Sequence, residues 1–224
     1  VASQVKRIGH GGASAVVRGN TLASFDAALE IGVDMIEFDV RRHGCELLLA
    51  HTRWDARLGR CPSLDSTLAH LTQPRLRELE LNLDIKSMGC EAAVVDALRR
   101  FGVVERSLVS SQLPAVVDRV RELDPAVRTG ISIGGRISRG RQRWGDWRDA
   151  VLEAVRRRRF HAVMAYHVLI DAPLVAAIAD AGGEIHAWTV DDRRAIDRLC
   201  GLGVDGIVTN DPRLFTPLPQ PVSG

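Results

Sequence analysis

Apolar positions along this chain recur at two spacings that take turns. Short apolar runs at 5–8, 36–40, 47–50, 81–85, 107–110, 128–133, 162–166, 185–190 and 206–209, bounded by glycine, proline or polar residues, read as strands. Between them, apolar residues three and four apart predict a helix that starts at Leu22, capped by Asn20 or Thr21, and stops at Gly32. The same spacing predicts helices over 64–71, 76–79, 91–101, 114–123, 147–157, 173–181 and 193–202. Strand alternating with helix implies parallel strands joined by crossover helices. The turn Ile31-Gly32-Val33-Asp34 repeats as Leu202-Gly203-Val204-Asp205, a glycine closing a helix just before a strand. About eight strands of this kind favour a compact α/β TIM (β/α)8 barrel, with a doubly wound open sheet as the second choice. One barrel domain over 1–216 is expected, with a mobile rim loop at 134–145 and a frayed Pro-rich tail from 217 to 224.

The strand Ile36-Glu37-Phe38-Asp39-Val40 changes this picture from fold to chemistry. Alternation puts Glu37 and Asp39 on one face, and two neighbouring carboxylates need either solvent or a cation. A barrel builds its active site at the carboxyl ends of its strands. His10 follows the first strand, His51 follows 47–50, and Asp84 and Lys86 close the strand at 81–85, so all converge on one mouth. Oxygen-only ligands from Glu37, Asp39 and Asp84 suit a hard divalent ion, Mg²⁺ or Ca²⁺. Such an ion with one histidine as base and another as acid suffices for phosphodiester cleavage. Lys6 and Lys86 are the only lysines among 30 cationic residues, which marks Lys86 as a place that needs a compact point charge. Of the other histidines, His186 is the one that could face the pocket.

Composition narrows the partners. A net charge of +2 over 224 residues argues against a nucleic-acid binder. The cationic run at 156–159 reads as a solvated helix end. No stretch approaches the ~20 apolar residues of a membrane span. Cys45, Cys61, Cys90 and Cys200 show no pairing pattern and suit reduced thiols in a cytoplasmic protein, although an exported form stays open.

Several motifs in order resemble the glycerophosphodiester phosphodiesterase family, within the PLC-like phosphodiesterase superfamily. Ile8-Gly9-His10-Gly11-Gly12-Ala13 resembles its opening motif, Asn20-Thr21-Leu22 its first helix, 36–40 its metal strand and Leu81-Asn82-Leu83-Asp84-Ile85-Lys86 its third-ligand strand. Ala187-Trp188-Thr189-Val190-Asp191 and residues 203–212 are similar to its closing strands. The resemblance implies a divalent ion on Glu37, Asp39 and Asp84, His10 and His51 as acid and base, Lys86 on phosphate charge and Trp188 against the alcohol. It implies hydrolysis of a glycerophosphodiester to glycerol 3-phosphate and an alcohol, with a small-molecule diester or lysophospholipid as substrate. The alternative is a lysophospholipase D-like or cyclic-phosphate-forming relative.

The chain departs from that pattern at four places. Gly11 stands where the family usually has arginine and Gly19 where it has glutamate, as expected if the two form a pair lost together. These losses motivate a further alternative, a barrel that binds a phosphorylated ligand without turnover. Arg18, Arg53 and Arg136 are the candidates to replace the missing charge. Thr52 replaces an aspartate, and Asp84 is one methylene shorter than the usual glutamate. The short segment between His51 and Asp84 predicts a reduced insertion between the second and third barrel strands, and hence an open mouth.

Overall fold

The computed structural model describes residues 5–58, 60–135 and 144–215. Parallel strands β1 (Lys6–His10), β2 (Met35–His43), β4 (Glu80–Ile85), β5 (Ser107–Ser111), β6 (Arg128–Ile133), β7 (Ala162–Tyr166), β8 (Glu184–Trp188) and β9 (Gly206–Thr209) follow one another round a barrel. Pairing of β1 with both β9 and β2 closes it. The ninth strand, β3 (Glu46–Leu49), folds back antiparallel on the end of β2. Crossover helices α1 (Leu22–Ile31), α3 (Leu64–Leu71), α4 (Glu91–Arg100), α5 (Pro114–Leu123), α6 (Trp144–Arg156), α7 (Ala172–Asp180) and α8 (Arg193–Leu202) coat the outside. The expected TIM barrel is the observed one.

Strand residues facing outward, such as Ile36, Phe38, Leu81, Leu83 and Val109, join helix residues Phe25, Leu68, Val94 and Val116 in one apolar layer. A second layer with Val163, Ile185, Ile207, Ile178 and Leu199 continues it round the other half. Burying each such side chain contributes about 1.5–3 kcal/mol. Gly32 and Gly203 close α1 and α8 at φ 96° and 79°, a conformation that a side chain would strain, so the repeated turn has a steric cause.

Inside the barrel the floor is charged. The Lys6 amine donates to Glu80 at 2.8 Å, and Arg128 bridges Glu80 at 3.5 Å and Glu184 at 2.5 Å. Above it, Ile8, Met35 and Val208 and, opposite, Leu108, Ala162 and Met164 fill the interior. His186 belongs to this interior, with Nε2 at 3.2 Å from Glu184, and does not line the cavity above.

Three local expectations need correction. Residues 76–79 form turns, not a helix: Leu76 and Leu79 bond back three residues, and the Arg106 guanidinium takes the carbonyls of Leu71, Leu76 and Leu79 that a helix would have used. An unforeseen helix, α2 (Arg53–Arg57), follows His51, because Thr52 and Asp55 form a reciprocal capping box. Strand β8 also ends at Trp188 rather than 190. Among the described residues between β2 and α3 the chain carries β3 and α2 alone, as the reduced insertion implied. Most of the expected rim loop at 134–145 and all of the tail from 217 lie outside the described residues.

Candidate active site

Strand register assembles the acidic cluster. Glu37 and Asp39 face inward from β2, and Asp84 of β4 stands directly beside Asp39 in the parallel ladder. All three are buried, and they present ligand atoms within 4.8 Å of one another. Strand β3 then matters for a different reason. By folding back until Leu49 pairs with Val40, it returns the chain to the barrel mouth and delivers His51, whose Nδ1 lies 3.1 Å from Asp39 Oδ2.

Among the described residues, one lysine serves the cluster. The Lys86 ammonium donates to Asp84 Oδ2 and lies 2.7 Å from Asp39 Oδ1 without hydrogen-bond alignment. Three carboxylates against one ammonium leave negative charge in excess. Burial, partly offset by His10, pushes Glu37 up to about 7. Burial likewise raises Asp84 against the pull of Lys86. Asp39 goes the other way: burial opposes its charge, but the His51 hydrogen bond and the nearby Lys86 hold it well below the usual carboxylate range. The Lys86 amine, despite burial, is raised by Asp84, Asp39 and Glu37 and stays charged. His51 is raised by its hydrogen bond to Asp39.

A divalent cation fits this set on structural grounds. Asp84 Oδ1 is buried without a hydrogen-bond partner among the described residues, and Asp39 Oδ1 meets the Lys86 ammonium without an aligned hydrogen bond, so a further positive charge here would relieve an unfavourable arrangement. The donors are hard oxygens, matching Mg²⁺ or Ca²⁺ in type.

The opposite side of the mouth holds His10. Its Nε2 is 3.7 Å from Glu37 Oε2, and its Nδ1 is 2.7 Å from Asn210 Oδ1. Asn210 is itself held: its Oδ1 accepts from the Ser14 hydroxyl at 2.7 Å, while its amide nitrogen donates to Asp191 at 2.5 Å. Asn20 performs a similar service for Asp39, donating to Oδ2 at 2.9 Å and accepting from the Asp39 backbone N–H at 3.0 Å. Thr21, not Asn20, caps α1.

These groups border a cavity of about 190 Å³ in the barrel mouth. His10, Glu37, His51, Asp84, Lys86 and Trp188 line it, and Asp39 stands behind them. Trp188 forms the apolar wall with Met164 and Val208; its indole N–H donates to the Met164 carbonyl at 2.8 Å, and Tyr166 backs it at 5.6 Å between ring centroids. Asn82, Ser110, Gln112 and Ser132 supply neutral polar groups across from the carboxylates. All seven expected residues therefore meet at one place. Arg18 and Arg53 do not line the cavity, and Arg136 lies outside the described residues.

Asn20, Asn210, Asp191 and the polar residues of β5 and β6 escaped the sequence reading. The signal for Asn210 was present, since Thr209-Asn210-Asp211 is a polar cluster at the carboxyl end of a barrel strand.

The chain is 28% identical to a glycerophosphodiester phosphodiesterase of Arabidopsis thaliana, over 92% of this chain and 70% of that one. Its fold is similar to the crystal structure of a glycerophosphodiester phosphodiesterase from Parabacteroides distasonis, with a TM-score of 0.78 at 18% identity and 94% of each chain covered. It is similar also to an Oleispira antarctica phosphodiesterase solved in complex with the product sn-glycerol-3-phosphate, with a TM-score of 0.71 at 20% identity over 93% of this chain and 94% of that one. The family model described as Glycerophosphoryl diester phosphodiesterase family matches residues 10–82 and 56–214, nearly the whole barrel, and the chain belongs to that family of enzymes.

Proposed function

We propose that this enzyme is a metal-dependent phosphodiesterase that hydrolyses glycerophosphodiesters to glycerol 3-phosphate and an alcohol. The observation that carries the reading is the meeting of two histidines and three buried carboxylates on one cavity at the barrel mouth. The product bound by the Oleispira antarctica relative agrees with it in kind.

Glu37, Asp39 and Asp84 would hold a divalent ion, Mg²⁺ or Ca²⁺, which would polarise the phosphoryl oxygen and balance charge as it builds. Lys86 adds a fixed positive charge between Asp39 and Asp84, on the side where phosphate would sit. The two imidazoles differ in what stands behind them. Behind His10 is a neutral amide oxygen, so Nδ1–H donates there and Nε2 keeps its lone pair for the cavity. Behind His51 is a carboxylate, which stabilises the imidazolium form. His10 in this reading takes the proton of the attacking water, and His51 gives a proton to the departing alkoxide. Water is consumed, one P–O bond breaks and one forms, and the protons balance. Trp188 packs against the organic part of the substrate.

Attack by the neighbouring glycerol hydroxyl would give a cyclic ester instead of the open monoester. A lysophospholipid substrate would give lysophosphatidic acid. The open mouth, with His51 solvent-exposed and only β3 and α2 beside it, favours keeping bulky alcohols in view. Phosphorus NMR with glycerophosphocholine and lysophosphatidylcholine, comparing chelator with added Mg²⁺ and Ca²⁺, separates these products. A monoester that needs metal and is absent with Asp39→Ala supports the proposal. No new signal in any condition overturns it for these substrates.

A further inference from the structure

Large apolar side chains left in solvent are not scattered over this barrel. Trp54 is 71% exposed, Leu58 68%, Met88 65% and Val168 64%, and Val16 completes the set among the described residues. Each lies in a segment that follows the carboxyl end of a strand: Val16 between β1 and α1, Trp54 and Leu58 on and just after α2, Met88 between β4 and α4, and Val168 between β7 and α7. They ring the cavity mouth, and none sits on the outer helices or at the charged floor. Folding alone gives no reason to gather exposed apolar groups on one rim, and such gathering marks an interaction surface.

Its charge states the partner. Helix α2 begins directly after His51 at the entrance, and its exposed Trp54 and Leu58 are interleaved with exposed Arg53, Arg57 and Arg60. The Arg57 guanidinium lies 5.3 Å from the Trp54 ring centroid, so aromatic and cation form one unit. Among the described residues neither these arginines nor Arg18, which is exposed on the neighbouring loop, is ion-paired with a carboxylate. The nearest acid, Asp55, is engaged by the Thr52 cap. Tryptophan and leucine beside unpaired arginines match the boundary between acyl chains and anionic headgroups. A second copy of this chain matches less well, because like surfaces would set arginine against arginine.

We propose that the rim formed by Trp54, Leu58 and Met88, with Arg53 and Arg57, docks the barrel mouth-down on an anionic phospholipid surface. Arg53 and Arg57 would reach headgroup phosphates while Trp54 and Leu58 enter the acyl boundary. The cavity would then open onto the lipid, so an amphiphilic molecule could enter it without first crossing water.

Co-sedimentation of the whole chain with vesicles tests this without any turnover, so its failure is separate from failure of the catalytic reading. Vesicles of mixed phosphatidylglycerol and phosphatidylcholine should retain the protein at 0.1 M NaCl at least about 30-fold better than pure phosphatidylcholine, and high salt should release it. Tryptophan emission should shift to the blue on binding, and Trp54→Phe should remove that shift while keeping most of the binding. Arg53→Ala with Arg57→Ala should weaken partition about 30-fold, and Leu58→Ser with Met88→Ser at least about tenfold, with unchanged thermal melting. Failure to bind either vesicle, or binding indifferent to lipid charge and to both variants, overturns the proposal. So does a concentration-dependent dimer that the same substitutions dissolve in the absence of vesicle binding, which would assign the rim to a second copy.

Discussion

The side-chain oxygen of Asn210 lies 2.7 Å from Nδ1 of His10, across 200 residues of sequence. Asp191 accepts from the Asn210 amide nitrogen at 2.5 Å, and a carboxylate can only accept, so the amide oxygen must face the histidine. His10 is thereby held as the tautomer with Nε2 free toward the cavity. Asn210→Ala should lower kcat by about ten- to a hundredfold, at or below the low end of what general acid–base catalysis contributes because His10 itself remains, with KM little changed. Asp191→Ala should act in the same direction and more weakly, because the Ser14 hydroxyl still orients Asn210. Steady-state kinetics of both variants check this; a rise in KM at unchanged kcat would assign Asn210 to substrate binding instead.

Asn20 grips Asp39 through two hydrogen bonds of 2.9 and 3.0 Å while sitting at φ 56°. Partners of this kind orient a metal-binding carboxylate, and losing one typically costs about 10- to 100-fold in affinity. Asn20→Ala should show that loss in a competitive metal titration, together with some backbone strain. Asn20→Gly separates the two effects: it relieves the strain and should weaken metal binding just as much.

Much of the site could be read because parity and strand order are one-dimensional facts. Glu37 and Asp39 share a face by alternation, and the strand carrying Asp84 is the next parallel strand, so their meeting followed from pattern alone. Asn210 and Asn20 could not be placed that way. Their roles depend on side-chain direction at a strand end and on a residue in left-handed conformation, neither of which has a periodic signature. The five-residue helix after His51 was missed for lack of apolar spacing, although its Thr52–Asp55 box was readable. At residues 76–79 the leucines are buried as a helix would bury them, but the guanidinium that holds their carbonyls comes from Arg106, about thirty residues on.

The proton on Glu37 should make binding of the proposed ion depend on pH. Burial raises this carboxyl from its ordinary value of 4.5 to about 7, so in the metal-free protein at pH 6 it is mostly neutral. A ligand to the ion must be ionised, and binding at pH 6 should release close to one proton, falling toward none by about pH 9. Calorimetry in two buffers of different ionisation heat reads that number directly. The sign for stability follows: the folded metal-free protein holds this proton more tightly than the unfolded chain, so this group's contribution falls as pH rises from 4.5 to about 7. Mg²⁺ or Ca²⁺ should accordingly raise the melting temperature more at pH 8 than at pH 5.

The barrel floor should govern acid stability. Glu184 is depressed from 4.5 to about 2, chiefly by the His186 hydrogen bond and, against burial, by Arg128. A carboxyl with a lowered folded pKa adds stability above its unfolded pKa and loses it as pH falls through the folded value, here between about 4.5 and 2. Glu184→Gln should flatten the acid limb of a denaturation series in that window and leave the limb above pH 6 unchanged in slope. An unchanged acid limb would mean the floor pairs contribute nothing to folding.

Gly11 and Gly19, two departures from the family pattern that the motifs resemble, are neighbours in this barrel: a β-carbon on Gly11 would approach the Gly19 Cα to 3.3 Å. The backbone at both positions leaves little room for a side chain. Gly11 sits at φ 58°, where a side chain costs roughly 1–2 kcal/mol, and a β-carbon on Gly19 would press to 2.8 Å from Ser14 Cβ, the residue that steadies Asn210. Gly11→Arg and Gly19→Glu should therefore each destabilise by about 1–3 kcal/mol, and Gly19→Glu should also lower kcat through Ser14. If the two positions retain the geometry of a pair, the double variant should recover on the order of 1 kcal/mol relative to the sum, as a partly exposed ion pair allows. A denaturant-unfolding cycle over the four proteins measures this coupling. Strict additivity would overturn the idea that the two positions form a pair.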